Sequence, residues 1–192
     1  MIRKHIHPTS EFSIRNMAIY SYWVFDRHCN CVYSREWSRP VAQTNNNQLD
    51  PNKQSRIPGA INQKNLDPKA SLLFGALFSM RKIAISLVKP TESESGIFSG
   101  ETISRINFLR SYSTNKYKCH FYETLSGFKF AFLSDTNTED LHVFLEEIYM
   151  KIFMNCVIRN PLSQADFKAG EVIKNESFIN KLDAYMVTIP AF

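Results

Sequence analysis

The sequence predicts an α+β fold: an antiparallel five-stranded sheet with one helix on one face and two C-terminal helices on the other. Three observations predict it. Aromatic and β-branched runs at 18–26 and 31–37 flank a short polar turn. Three more strand-like runs follow one another across tight turns between 105 and 135. Segments with apolar residues three and four apart lie at 69–88, 140–159 and 175–186. Strands joined by short turns pair antiparallel, and a lone helix followed later by a pair can cover both faces.

Residues 1–16 carry Arg3, Lys4 and Arg15 against Glu11 and show no sustained period. They read as a disordered extension, or as the product of an upstream start with Met17 opening the domain, which then spans 17–192. Ile19, Tyr20, Tyr22, Trp23, Val24 and Phe25 suit a largely buried strand. Arg27 to Asn30 supply the turn of a hairpin, and the strand pattern resumes at Cys31. The stretch 38–67 is rich in Asn and Gln and holds Pro40, Pro51, Pro58 and Gly59, so it reads as a long polar loop.

Asp67 and Pro68 open the first helix as N-cap and first helical residue. Its apolar positions are 72, 73, 76, 77, 80, 83, 84, 87 and 88, one wide stripe ended by Pro90. Phe74 and Phe78 lie beside that stripe, which suits either a well-covered core helix or one that also meets a partner. After the polar segment 91–101 comes a meander of three strands at 105–112, 116–123 and 128–135, with Gly127 at a turn that favours positive φ. Residues 135–139 are expected to cap a helix over 140–159, ended by Pro161, and a last helix covers 175–186.

The 192 residues suit one globular unit, and a chain 44% hydrophobic and 13% aromatic can build a core, which excludes a disordered or collagen-like chain. A net charge of +5 invites a nucleic-acid reading, but the largest basic clusters are the pairs Arg3-Lys4 and Arg81-Lys82, so no nucleic-acid partner is expected. No apolar stretch reaches the roughly 18–20 residues of a membrane span, so membrane contact is expected to be peripheral.

No catalytic constellation stands out. Cys29 and Cys31 are too close for a zinc knuckle, and neither Cys119 nor Cys156 completes a second pair. His120 follows Cys119 in a strand, so the two point to opposite faces and cannot share a metal. His142 is expected at the surface, and His28 beside Cys29 lacks the geometry of a nucleophile and its base. Asp26 with Glu36, or Glu139 with Asp140, has nothing to fix its separation as an acid–base pair. Glycine-rich phosphate loops and nucleophile elbows are absent from the sequence. No cofactor and no metal are expected, and the chain reads as a non-enzyme.

Several blocks together resemble the sybindin-like small subunits of the TRAPP (transport protein particle) tether. They are Phe25-Asp26-Arg27-His28-Cys29-Asn30-Cys31 with Arg35-Glu36-Trp37, then Leu72-Leu73-Phe74-Gly75 with Phe78-Ser79-Met80-Arg81. The meander from Tyr117 to Asp135, with Ser126-Gly127-Phe128-Lys129-Phe130, extends the match over most of 17–160. The extension 1–16 and the polar loop stand outside it.

The resemblance implies a longin-like (SNARE-like) fold and a structural role in a cytoplasmic tether, peripheral at the endoplasmic reticulum and cis-Golgi. It implies other TRAPP small subunits as partners, and a Rab GTPase that docks on the assembled complex for guanine nucleotide exchange. Exchange opens a nucleotide site and needs no acid–base residue from one subunit. The alternative is a longin-type regulatory or adaptor module of a SNARE or coat. For a SNARE, heptads and a tail anchor would follow the domain, and the sequence to Phe192 shows neither. Subunit contacts are expected at the turn, through Asp26, Arg27, His28 and Asn30. They are also expected on the first helix, through Leu73, Phe74, Leu77, Phe78 and Arg81.

Overall fold

The computed structural model describes residues 18–38, 57–61, 67–87, 108–163, 166–168 and 170–192. The sequence expectations for 1–16, for Pro90 and for 91–101 fall outside them. Strands β1 (Ile19–Phe25), β2 (Cys31–Ser38) and β3 (Ile57–Ile61) precede helix α1 (Pro68–Ser86). Then come β4 (Ser111–Ser113), β5 (Lys118–Glu123) and β6 (Lys129–Ser134). Helix α2 (His142–Glu147) runs on as a π-helical stretch, Ile148–Ile158, and α3 (Glu176–Met186) closes the order.

The sheet is antiparallel in the order β3-β2-β1-β6-β5-β4, one strand more than expected. The extra strand lies inside the stretch expected to be a loop. Pro58 and Gly59 hide it in the sequence, yet an edge strand tolerates proline because one side of its ladder has no partner to bond. At the other edge, of the described residues in the strand expected over 105–112, 108–110 are not strand, and Ser111 and Tyr112 begin β4.

Alternation along β1 and β6 divides two cores. Tyr22, Val24, Phe130 and Phe132 point toward α2, its π-helical continuation and α3. Trp23, Phe25 and Ala131 point toward α1. One helix therefore covers one face and the C-terminal helices the other, as the longin-like arrangement requires. A bulge where Phe25 pairs with Cys31 and Val24 with Tyr33 turns Cys31 to the α1 side and Tyr33 to the opposite one.

The second helix starts differently from the expected cap. Its N-cap is Leu141, which has no side-chain acceptor to offer. His120 takes over part of that role from β5: its Nδ1 accepts the Leu141 backbone N–H at 3.2 Å, while Nε2 meets Ser134 Oγ at 2.9 Å. The histidine is fully buried, and burial, with Lys118 nearby, lowers its pKa to about 4 against an opposing pull from Asp140. His120 is thus a neutral capping residue. His142 is half-buried rather than superficial, its ring edge-on to Tyr122 at 5.3 Å.

Helix α3 is tied to the sheet by an ion pair, Arg35 Nη2 donating to Asp183 Oδ2 at 2.8 Å. Burial pushes the Asp183 carboxyl up in spite of Arg35, so the pair's value is that it does not leave the enclosed guanidinium alone. Asp183→Ala is expected to lower stability by about 2 kcal/mol, less than for a fully enclosed pair because Asp183 is partly wet. Urea unfolding measures it. An unchanged midpoint would show that the pair contributes nothing.

Candidate interaction face

The hairpin turn divides its residues between structure and surface. Asp26, 1% exposed, accepts the Asn30 backbone N–H at Oδ1 (2.8 Å) and the Asn30 side-chain amide at Oδ2 (3.0 Å). The Cys29 N–H donates to Asp26 O, and Cys29 itself sits at φ 69°. Asp26 and Asn30 therefore hold the turn together, while Arg27, His28 and Cys29 face water. Arg27 is engaged with Asp166 at 2.9 Å, and His28 Nε2 lies 3.4 Å from the same carboxylate.

The β5–β6 turn stands beside this one, because Phe25 pairs with Lys129. A Cβ at Gly127 would come 3.1 Å from the Cβ of Arg27, and its φ of +87° also requires glycine. Two turns thus share one end of the sheet.

Helix α1 crosses the same end. Asp67 caps it by accepting the Lys69 N–H at 2.9 Å, with Pro68 as first residue. Its fully buried residues are only Ala70, Leu73 and Leu77, a line three and four apart. The wide stripe expected from the sequence is therefore not a buried face. Leu72 is 77% exposed, Leu87 76%, Phe78 53% and Ile83 50%.

Of the residues expected to make contacts, Leu73 and Leu77 are buried against the sheet. Phe74 is half-buried against Phe25, ring centroids 5.5 Å apart, and stacks on Phe78. Arg81 reaches Glu123 at 2.6 Å. Glu123 also lies 3.7 Å from Lys129, opposite it in the β5–β6 pairing, and Lys129 Nζ donates to Gly127 O.

These groups enclose a pocket of about 130 Å³ lined by Phe74, Leu77, Phe78, Arg81, Phe121, Glu123, Lys129 and Cys29. The turn and the helix, two segments singled out separately, meet there. Sequence reasoning missed Glu123 and Lys129, although opposite charges bracketing a short turn were a readable sign of a cross-strand pair. On the other flank of α1, Tyr20, Trp37, Leu72, Tyr117 and Leu133 line a shallower groove of about 480 Å³.

The Cys31 and Cys119 thiols are pushed up to about 12 by burial. Among the described residues, no three His, Cys, Asp or Glu side chains gather as a metal site, and no helix is long and apolar enough to cross a membrane. What the arrangement offers is apolar surface with a charged rim, the makings of a protein contact.

Comparison with known proteins agrees in kind. The model of the Sybindin-like family matches residues 19–189. The trafficking protein particle complex subunit BET5 of Saccharomyces cerevisiae is 36% identical over 179 residues, 88% of this chain and 96% of that protein. Trafficking protein particle complex subunit 1 of Dictyostelium discoideum is 32% identical over 175 residues, 91% of this chain and 98% of its own length. Its namesake in Homo sapiens is 28% identical, with 92% and 97% covered.

Proposed function

The chain belongs to the sybindin-like family, and from that premise we propose that it is a structural, non-catalytic subunit of a TRAPP vesicle-tethering complex. The observation that carries this reading is apolar surface left exposed on both flanks of α1, at Phe78 on the side of the two turns and at Leu72, Ile83 and Leu87 on the other. Exposed large side chains along one helix mark a surface made to be covered. The names of the relatives, each a subunit of a trafficking particle, support the same assignment.

In this reading the assembled complex, not the single chain, acts as guanine nucleotide exchange factor for a Rab GTPase in endoplasmic reticulum-to-Golgi transport. The chain's part is to hold neighbouring small subunits in register so that the GTPase docks across several of them. Its place is cytoplasmic, peripheral at the endoplasmic reticulum and cis-Golgi, with membrane contact made through the complex. The exposed residues of the turn, Arg27 and His28, and Phe74, Phe78 and Arg81 of α1 are the contact residues of this proposal.

Affinity purification of the double variant Leu72→Asp/Phe78→Asp tests it. Both side chains are exposed, so the fold survives, whereas an aspartate at buried Leu73 would disturb the core. Loss of two apolar anchors worth about 2 kcal/mol each is expected to weaken assembly by roughly 1,000-fold and to remove the other small subunits from the eluate. Undiminished recovery of those subunits with an unchanged melting temperature would overturn the role of these two flanks of α1.

A further inference from the structure

We propose that the pocket between α1 and the β5–β6 turn receives one aromatic or large aliphatic side chain from a partner subunit, with a carboxylate of the same partner segment held beside it by Lys129 and Arg81. This rests on α1 being a subunit contact and specifies the chemistry the partner brings.

Size decides the first half. The walls are Phe74, Leu77, Phe78 and Phe121, and the volume, about 130 Å³, is close to that of an apolar cavity that admits benzene. Such a space holds one ring or one branched side chain and is too small for a lipid acyl chain. The Phe78 ring, half in water, stands as an outer wall stacked on Phe74 at 6.3 Å between centroids. An incoming side chain would bury apolar surface on both sides of itself, the situation of an interface anchor.

Charge decides the second half. Two cations, Arg81 and Lys129, share the single carboxylate of Glu123, which leaves the pocket mouth with one excess positive charge. Glu123 and Lys129 side chains are each only 13% exposed, so that excess is weakly screened. Arg27 on the neighbouring turn is already matched by Asp166. An arriving carboxylate completes two pairs, whereas an arriving ammonium meets repulsion.

Cys29 provides the readout. It lines the pocket and is exposed, while Cys31, Cys119 and Cys156 are buried, so a maleimide reaches it selectively. N-ethylmaleimide labelling of Cys29 is expected to be at least about tenfold slower in the purified complex than in the free full-length chain. That protection is expected to fall in Lys129→Gln and further in Lys129→Glu. Carbodiimide coupling of the complex should join Lys129 to an Asp or Glu of a partner with a large apolar residue within one helical turn.

Equal labelling of Cys29 in an intact complex overturns the inference and leaves the subunit reading standing. Protection indifferent to Lys129→Glu overturns the carboxylate. A chain that recovers no partner subunits overturns the subunit reading itself.

Discussion

Phe153→Ala is expected to destabilise the domain by about 3–5 kcal/mol. Phe153 has no exposed surface and sits where the sheet meets both C-terminal helices. Its ring lies 5.0 Å from that of Phe128, 5.2 Å from Phe130, 6.2 Å from Tyr149 and 6.1 Å from Phe178. These rings come from the flank of β6, from β6 itself, from the π-helical stretch and from α3, so none can move in without abandoning its own packing. The vacated volume therefore stays open, and the cost includes the cavity as well as the lost transfer energy. Chemical denaturation of the variant is the measurement. A loss below about 1 kcal/mol would show that this core collapses around the gap.

Acid is expected to weaken the fold through His120. Its folded pKa of about 4 lies below the ordinary value of 6.5, so between those values the unfolded chain binds a proton that the folded chain refuses. Stability from this group is therefore full above pH 6.5 and falls away as the pH drops to about 4. The displacement corresponds to something on the order of 3 kcal/mol. Two causes act together: a cation in a fully buried site is poorly solvated, and a proton on Nδ1 would break the acceptor for Leu141 N–H. Lys118 adds to the effect and Asp140, 3.8 Å from Nδ1, works against it. Unfolding free energies of the wild type and His120→Gln, measured from pH 7 to 4, should converge as the pH falls. Parallel curves would sink this account.

The legible parts of this fold are those decided within a few residues. An aromatic run, a four-residue polar turn and a second run made the β1–β2 hairpin readable, and Asp67-Pro68 marked the start of α1. What failed to show were features decided across the chain. β3 looks like a loop because Pro58 and Gly59 argue against a strand, and only its place at the sheet edge permits them. Part of the α2 cap comes from His120, more than twenty positions upstream, where no local pattern reveals it, while Asp140 Oδ1 accepts the His142 N–H from nearby. The i→i+5 winding that ends with Arg159 N–H on Met154 O leaves the three-and-four apolar spacing almost unchanged.

Which residues of the candidate site are buried was not legible in the sequence, for a related reason. Periodicity placed the apolar residues of α1, but it does not say which neighbour covers them. Leu73 and Leu77, expected to meet partners, lie against the sheet, whereas Leu72, absent from the expected contact residues, stands in water. At the turn, Asp26 and Asn30 looked like polar surface and are in fact bonded to each other.

The order of the strands also sets a clock on biosynthesis. β1 lies in the middle of the sheet, between β2, made at once, and β6, whose Lys129 pairs with Phe25 more than a hundred residues later. At roughly 5–20 residues per second, a ribosome needs about 5–20 s to deliver that second neighbour. Throughout that interval the nascent hairpin carries an open apolar strand edge, rich in aromatic side chains, with nothing of its own chain to close it.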